Sequence, residues 1–402
     1  MTANDSDLLF AGLKVLDVGT WIAGPVSATI LADFGADVIK VEQPGVGDPY
    51  RYMFAMASIN YPWLLDARNK RGITLNLKTD EGRDILMRLV ADCDVYVTNQ
   101  PLPLRRQLRL QYEDLAPLNE RMIYASLTAY GEVGPDSDRE GFDGVAYWAR
   151  SGLMDLVRSP GAVPGASTPG MGDHPTAVTL YAAIVTALLR RERTGKGGKV
   201  HTSLLANGLW SNSCVAQGAF TGADIIAARR NQPPIASPNR TLYETSDGRL
   251  LQLYMVRTQA ELDALIIAAE ATEILEDARF SDPVVRMQHL AELVEALKVM
   301  FVQRTAAEWL SLFRATDVPV SMVAHIEDLP GDEQLRAINA VEAPSDPSVP
   351  SPLVINHPLN IDGLGRRGIR HAPEVGEHTD EVLAEMGYDS ARIAALHAAG
   401  IV

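Results

Sequence analysis

Hydrophobic and polar positions in the first third of the chain follow two alternating periods. Short apolar runs predict five buried strands, at residues 13–18, 37–42, 72–77, 94–98 and 122–127. Between them, residues 22–34 and 80–91 repeat apolar side chains every three or four positions, as helices packed on a core do. Strands joined by helical crossovers lie parallel, so this pattern predicts an α/β domain with a Rossmann-like parallel sheet.

The rest of the chain predicts one further strand of that sheet and a second, smaller α+β region. The predicted elements are a helix at 175–193, a strand at 199–203, a linker at 227–238, a hairpin at 243–254, helices within 259–313, an irregular proline-rich segment at 343–358 and two short helices at 377–385 and 389–399. The order of these elements favours two domains.

The net charge of −15 argues against a general affinity for nucleic acid, which needs concentrated Lys and Arg. Basic clusters at residues 68–71, 105–109 and 190–199 are either solvated surface or islands that receive a small polyanion. No apolar run reaches the roughly 20 residues that cross a bilayer, and the acidic start does not resemble a signal peptide. We therefore expect a soluble cytoplasmic protein that binds neither nucleic acid nor membrane.

Several classes of site lack their usual signals. Cys93 and Cys214 lie far apart, and the histidines show no metal-ligand spacing, so we expect no metal centre. Residues 19–24 fit neither the dinucleotide-binding nor the Walker A pattern, which removes the main support for NAD or ATP chemistry. In a parallel sheet the ligand site lies beyond the carboxyl ends of the strands, here the loops after Val18, Glu42, Thr98 and Leu127.

Asp173 is the carboxylate with the most informative surroundings, because it lies between a glycine-rich segment and the long predicted helix. One interpretation is a helix N-cap, a position that Asp favours when Pro follows in the first turn. The other is a nucleophile, kept ionised by the helix N-terminus and able to attack a thioester to form a mixed anhydride. Gly170 and Gly172 would then leave room for substrate and supply backbone donors to an oxyanion.

His174, the next residue, titrates near neutral pH and is a natural general base. A carboxylate nucleophile needs no base, so a packing or hydrogen-bonding role for His174 stays equally open.

At this point the chain resembles the class III CoA-transferases, also called the CaiB/BaiF or formyl-CoA transferase family, along nearly its whole length. The matching motifs are GLKVLD at 12–17, AGP at 23–25, LADFGADVIKVE at 31–42, NKRGITLNLK at 69–78, YEDL at 112–115, GD at 172–173, RTGKG at 193–197 and GEHTD at 376–380. Their order and spacing make the resemblance specific.

The resemblance implies a large CoA-binding α/β domain of residues 1–222 and 335–402, a linker and small domain of residues 223–334, and an interlocked homodimer. It also implies that Asp173 is acylated by an acyl-CoA, that CoA then forms a thioester with Asp173, and that a carboxylic acid finally takes the CoA. CoA enters as part of the acyl-CoA substrate, without a metal or redox cofactor.

The family's CoA contacts carry over to residues of the predicted loops: Ile22, Ala23, Leu75, Lys78, Asn99 and Tyr130. Two departures affect the phosphates. Gln43 replaces a basic residue found in some members, and the family's Asn-Phe-Arg-Pro stretch is NQPL at 99–102. We expect the nearby Arg105 and Arg106 to restore the lost charge.

Two features narrow the branch within the family. Phe142 stands where the family's α-methylacyl-CoA racemases have a histidine, and phenylalanine is neither acid nor base. Residues 142–152 with Gly172-Asp173-His174 resemble the branch that acts on 2-hydroxy and aryl-substituted acids. The glycine-rich lid of formyl-CoA transferases has no counterpart between residues 228 and 254, which disfavours formate and oxalate.

In this branch Gly172, His174 and Trp148 are the expected substrate contacts, although packing in the core is an equally ordinary role for Trp148. Two alternatives to the transferase stay open. One is a racemase or isomerase of acyl-CoA thioesters that uses Asp173 and His174 as proton carriers. The other is a non-catalytic CoA-binding subunit of a mixed oligomer, which the intact Asp173 motif disfavours.

Overall fold

The computed structural model describes residues 5–158, 162–223, 237–254, 256, 258–314 and 319–402. The chain divides into two compact units. The first contains Met1–Ala223 together with Gln334–Val402, and the second contains Asp224–Glu333. Most of the predicted linker at 227–238 lies outside the described residues. So does part of the interval 228–254, where the sequence has no counterpart of the glycine-rich lid.

The first unit is built on a six-stranded parallel sheet of order β3-β2-β1-β4-β5-β6. Its strands are β1 Lys14–Asp17, β2 Asp37–Glu42, β3 Arg71–Thr74, β4 Val95–Thr98, β5 Ile123–Thr128 and β6 Gly198–Ser203. The predicted α/β class and its parallel sheet are confirmed. Strand order reverses between β1 and β4, because β1 pairs with β2 on one side and with β4 on the other.

Strands β1 to β5 are largely buried on both faces, which is why they appear in the sequence as continuous apolar runs. The edge strand β6 is largely half-exposed. Val15 and Val97 pack on one face with α1 (Ala23–Asp33) and α7 (Asp173–Thr194). Leu16 and Tyr96 pack on the other face with α3 (Asp80–Asp92) and the two C-terminal helices. The remaining helices of this unit are α2 Tyr61–Asp66, α4 Leu102–Leu108, α5 Tyr112–Leu115, α6 Leu153–Leu156, α8 Leu204–Ser211, α9 Ser213–Phe220, Thr379–Glu385 and Ser390–Ala398.

Helix α7 begins at Asp173, two residues before the predicted start. Pro175 falls in the first turn, where a backbone N–H has no intrahelical partner, so the proline does not delay the helix. Gly195, at φ 74°, ends α7 in the left-handed conformation that glycine adopts without strain. Along its length α7 packs against α1, whose residues are all buried.

The C-terminal segment returns to the N-terminal strands through backbone hydrogen bonds. Asn76 donates its N–H to Ile401 at 2.7 Å, and His378 donates to Gly72 at 2.8 Å. At the first of these bonds the backbone leaves β2 and pairs with the chain terminus. Strand β3 therefore ends at Thr74, whereas the sequence predicted a strand over 72–77. A two-stranded ladder, β10 Val341–Glu342 with β11 Val354–Ile355, lies in the proline-rich part of this segment.

The second unit has a three-stranded antiparallel sheet of β7 Leu242–Glu244, β8 Leu250–Leu253 and β9 Val320–Met322. The predicted hairpin corresponds to β7 and β8, whereas β9 was not predicted. Its helices are Gln259–Ala268, Glu273–Glu276, Pro283–Gln288, Leu290–Phe301 and Ala306–Phe313. In its core the Phe301 ring contacts the tilted Tyr243 ring at 4.6 Å between centroids and meets Trp309 edge to face at 5.3 Å. Among all residues that the structure describes, no helix is long and apolar enough to cross a membrane.

Candidate active site

A cavity of about 590 Å³ lies in the first unit where the strand order reverses. Parallel α/β sheets place ligands at this switch point, because the loops after the two central strands separate there. The cavity is lined by Thr20, Trp21, Ile22, Ala23, Met53, Asn99, Pro101, Leu102, Leu127, Thr128, Ala129, Ser137, Arg139, Glu140, Gly141, Phe142, Asp143, Gly144, Val145, Ser167, Pro169, Asp173 and Leu204.

Asp173 reaches this cavity from the first residue of α7, not from an N-cap position. The N-cap is Gly172, and no side chain caps this helix. Capping was one of the two interpretations of Asp173, and the earlier helix start overturns it. Within the part of the chain that the structure describes, no hydrogen bond engages the Asp173 carboxylate. Its oxygens are therefore free to contact a ligand in the cavity.

The pKa of Asp173 is raised to about 7, mainly by burial and in addition by the nearby carboxylates of Asp143 and Asp66, while His174 acts in the opposite direction. The expected preference for the ionised form at a helix N-terminus is thus opposed by desolvation and by like charge. Near neutral pH the carboxyl group exchanges its proton readily.

Asp143 is a site residue that the sequence analysis treated only as part of a branch motif. It is buried, and its Oδ2 accepts from the backbone N–H of Gly172 at 3.1 Å while Oδ1 accepts from Gly144 at 2.7 Å. The second contact starts the π-helical segment Gly144–Ala149. Asp143 therefore fixes the backbone that immediately precedes Asp173.

The two glycines before Asp173 make room for protein side chains. A Cβ on Gly172 would lie 2.5 Å from the Tyr147 ring, and a Cβ on Gly170 would lie 3.0 Å from the ring of His174. Because the Gly172 N–H is already donated to Asp143, it is not free for an oxyanion. The expected Gly172 oxyanion donor is thus already used, while room for substrate beside these glycines stays a prediction.

His174 links the start of α7 to the end of α2. Its Nε2 lies 3.0 Å from Asp66 Oδ1, and its Nδ1 lies 3.1 Å from the carbonyl oxygen of Gly170. Tyr50 donates its hydroxyl proton to the second oxygen of Asp66. His174 does not line the cavity itself, yet it is adjacent to the residue that does.

Asn99 joins the two loops that flank the switch point. Its side chain accepts from the Thr20 N–H at 2.8 Å and donates to the Thr20 carbonyl at 2.7 Å. Ile22, Ala23 and Asn99 were all predicted ligand contacts, and all three line the cavity. These residues and Asp173 are the predicted positions that the fold brings together.

The other predicted contacts lie off the cavity. Leu75 is buried, and Lys78 is exposed beyond β3. Trp148 is buried and donates its indole N–H to the Gly165 carbonyl at 3.0 Å, so it packs in the core. Tyr130 lies beside Gly141 of the cavity wall, and the guanidinium groups of two arginines cover its ring.

Arg105 has a structural environment. Its side chain is 1% exposed and is bound by Glu132 at 3.0 Å, by Ser126, and by the carbonyl groups of Gln100 and Leu127. Lys199 also pairs with Glu132. With these partners Arg105 has little left to offer a phosphate, and we do not carry it forward as a ligand contact.

Exposed arginines cluster near the cavity mouth. Arg106 pairs with Asp138 at 2.6 Å, and Arg150 pairs with Asp136 at 2.5 Å. Arg139, which lines the cavity, lies with Arg150 over the Tyr130 ring. We call Arg106, Arg139 and Arg150 the mouth arginines. Arg139 also lies 3.8 Å from Asp136, so each mouth arginine has an aspartate partner.

A buried ion network supports the cavity wall. Lys40 lies 2.8 Å from Asp48, and Lys70 lies 2.8 Å from Asp17. Asp48 also accepts from the backbone N–H of Trp21, a residue held at φ 63°. This contact stabilises a backbone conformation that a bulky side chain rarely adopts, and it directs the Trp21 ring toward Phe142, at 5.5 Å between centroids.

Among the described residues, no group of three or more His, Cys, Asp and Glu side chains is arranged to hold a metal ion.

Comparisons with known proteins agree with the motifs in the sequence. Residues 10–379 match the description "CoA-transferase family III". The chain is 32% identical over 392 residues to (R)-2-hydroxy-4-methylpentanoate CoA-transferase of Clostridioides difficile, covering 96% of this chain and 97% of that protein. It is 30% identical over 398 residues to cinnamoyl-CoA:phenyllactate CoA-transferase of Clostridium sporogenes, covering 96% and 95%.

Among solved structures, the fold matches a CaiB/BaiF family protein from Brucella suis with a TM-score of 0.81 at 26% identity. The match covers 94% of this chain and 100% of the Brucella suis chain. The parallel sheet and its surroundings are thus shared with a protein of the same family name.

We expect Asp173→Asn to stabilise the protein at pH 8 and to leave its stability near the wild-type value at pH 4. The folded protein holds the Asp173 proton more tightly than the unfolded chain, because the pKa is raised to about 7 from 3.8. Folding stability therefore falls as pH rises through this interval. Calorimetric melting should show a gain of a few degrees at pH 8.

Asp84→Asn is the matched control, because Asp84 is exposed on α3. It should change neither melting temperature. An Asp173→Asn protein that melts at or below the wild-type temperature at pH 8 would contradict the assignment of a destabilising buried carboxylate.

Arg105→Ala should lower the free energy of unfolding by about 2–4 kcal/mol, because it leaves the carbonyl groups of Gln100 and Leu127 without a buried donor. It also removes one of the cations that pair with Glu132, which keeps Lys199. Arg106→Ala, its neighbour, breaks only an exposed pair and should cost less than about 1 kcal/mol. Urea unfolding of both variants measures the difference, and equal losses would contradict the structural role of Arg105.

Proposed function

The chain belongs to CoA-transferase family III, as its motifs predicted, and from this premise we propose that it moves CoA to a carboxylic acid through covalent intermediates on Asp173. Its relatives are named CoA-transferases, so the protein is a transferase whose substrates are an acyl-CoA and a carboxylate. The observation that carries the mechanism is the Asp173 carboxylate, which lines the switch-point cavity at the start of α7 without a hydrogen-bond partner among the described residues.

The reaction then follows from carboxylate chemistry. An oxygen of Asp173 attacks the thioester carbonyl, which expels CoA as a thiolate and leaves an acyl-aspartyl anhydride. The thiolate attacks the Asp173 carbonyl, which releases the donor acid and leaves an aspartyl thioester. The acceptor carboxylate attacks this thioester to give a second anhydride, and the thiolate attacks its acyl carbonyl to release the new acyl-CoA and free Asp173.

Only the ionised form of Asp173 attacks, so its protonation limits the first step. With a pKa of about 7, the attacking form becomes predominant as pH rises above neutrality. A carboxylate with a raised pKa is also a stronger nucleophile than an ordinary one, because nucleophilicity follows basicity. Burial thus lowers the fraction of Asp173 that is ionised near neutral pH, but it makes the ionised form more reactive.

The racemase alternative has less support from this geometry. It needs two groups that exchange protons with the substrate, and His174 uses both ring nitrogens in contacts with Gly170 and Asp66. Phe142 lines the cavity where the racemases of the family have a histidine. Transfer needs only Asp173 and the CoA thiol. The non-catalytic alternative would leave an unpaired carboxyl group in the cavity without a purpose.

For CoA itself we propose that the thioester end lies along Ile22, Ala23 and Asn99, which line the cavity. The mouth arginines would then face the phosphates, and Arg139 provides the continuity because it belongs to both sets. Tyr130, covered by Arg139 and Arg150, lies in the same region. The contacts expected from Leu75 and Lys78 stay predictions.

We call the apolar side of the cavity, formed by Trp21, Met53, Phe142 and Val145, the acyl wall. This wall favours an apolar or aromatic acid. Trp21 and Phe142 meet edge to face, and Met53 and Val145 extend the apolar surface. Asp143 and Glu140 also line the cavity, and in the described part of the chain Arg139 is the only basic residue that does so. A second carboxylate on the substrate would meet like charge. The 2-hydroxy-4-methylpentanoate and phenyllactate relatives carry names of this apolar class.

Three expectations stay predictions. They are the interlocked homodimer, the boundaries between the large and small domains at residues 222–223 and 334–335, and the cytoplasmic location.

We expect Asp173→Ala to abolish CoA transfer while leaving the fold intact. The variant should therefore show a melting transition like that of the wild-type protein. Wild-type enzyme mixed with a panel of acyl-CoAs and trapped with hydroxylamine should carry its label on the peptide that contains Asp173, as measured by mass spectrometry. Thr186→Ala, on the outer face of α7, is the control and should transfer normally. Substantial turnover by Asp173→Ala, or labelling of another peptide, would rule out this nucleophile.

Phe142→Ala should lower kcat/KM about tenfold or more for branched and aryl acyl-CoAs, because it removes half of the aromatic pair. Acetyl-CoA, whose acyl group is too short to fill this wall, should lose much less. Steady-state kinetics with both thioesters tests the assignment. A uniform loss for all thioesters would place Phe142 outside the acyl site.

A further inference from the structure

His174 has two ring nitrogens, and both face hydrogen-bond acceptors. Nδ1 lies 3.1 Å from the Gly170 carbonyl oxygen, which can only accept, so Nδ1 carries a proton. Nε2 lies 3.0 Å from Asp66 Oδ1. The other Asp66 oxygen accepts from the Tyr50 hydroxyl, so Asp66 is surrounded by donors, as an ionised carboxylate is. Satisfying both contacts requires a proton on each nitrogen.

We propose that His174 is held as an imidazolium whose charge keeps the neighbouring Asp173 carboxylate ionised. His174 is thus a positioning residue that acts through Asp173 and does not exchange protons with the substrate. This inference rests on the proposed function, because the charge matters only if Asp173 is the nucleophile. It assigns a role to a residue for which general base and packing were both open.

The charges around the pair come from several elements. Asp66 ends α2, Tyr50 belongs to the 3₁₀ helix Pro49–Tyr52, and Asp143 precedes the π-helical segment. Lys70, just before β3, interacts with Asp66 through its charge. Asp66 and Asp143 both favour the neutral form of Asp173, and His174 is the cation that opposes them at this position.

The environment of His174 favours its charged form despite partial burial. Desolvation by itself lowers the pKa of His174, but the hydrogen bond and the charge of Asp66, the Gly170 carbonyl and the charge of Asp173 together raise it above the ordinary value. The ring also packs on Gly170, at φ 84°, where a Cβ would lie 3.0 Å away. The glycine therefore allows the loop carbonyl to meet Nδ1.

The test compares a neutral and a charged replacement. His174→Gln keeps an amide donor but loses the charge, whereas His174→Lys keeps a cation. In single-turnover acylation of Asp173 measured from pH 5 to pH 9, the wild-type rate should rise through about pH 7. The Gln variant should shift this limb upward by about one pH unit and regain its rate at high pH. The Lys variant should return the limb toward the wild-type position.

Thr186→Ala is again the control, and melting curves verify that each variant is folded. An acid limb that stays in place in His174→Gln would overturn the inference. So would a loss of rate at every pH that Lys does not repair, since that is the signature of a purely structural side chain. These failures differ from failure of the proposed function, in which wild-type Asp173 would never be labelled.

Diethyl pyrocarbonate provides a direct measurement, because it modifies only unprotonated imidazole. Although the His174 side chain is 43% exposed, its peptide should be modified more slowly at pH 7 than the peptide with the exposed His201. Equal modification rates at the two histidines would show a neutral ring at position 174 and overturn the inference.

Discussion

The site depends on one electrostatic constraint: a carboxyl group must be kept chargeable while it is half-buried beside two other carboxylates. Asp173 is desolvated and faces Asp143 and Asp66, both of which favour its protonated form. The N-terminus of α7 and His174 favour the charged form. The balance leaves Asp173 near its titration midpoint at neutral pH. A change in any of these groups would move Asp173 toward its protonated form or toward a less basic carboxylate.

The fold provides that balance by bringing together groups from separate elements. Asp143 accepts from Gly172, which positions the backbone before Asp173, and Tyr147 occupies the space that Gly172 leaves. Asn99 connects the loops at the switch point, while the Lys40 and Asp48 pair supports the strained Trp21 of the acyl wall. The polar groups of the site are thus fixed by contacts that form only when the whole sheet is assembled.

The site was only partly predictable from sequence, and the arginines show why. Arg105 and Arg106 are neighbours in α4, yet one is buried against Glu132 and the other is exposed beside Asp138. A one-residue step turns a helical side chain by about 100°, so neighbours point to different environments. Arg139 and Arg150 were not predicted as ligand contacts, because only the folded chain brings both of them over the Tyr130 ring and beside Asp136.

By itself, the sequence determined the α/β class, the six parallel strands and the family, and it singled out Asp173 as the candidate nucleophile. Those features depend on periodicity and on motifs of adjacent residues, which survive without a folded context. Tertiary structure alone decided that Asp173 begins α7 without capping it, that Arg105 is bound by buried protein groups, and that His174 contacts Asp66. That last pair is separated by 108 positions in the chain. Contacts over such distances depend on burial and mutual orientation, which no local pattern of residues records.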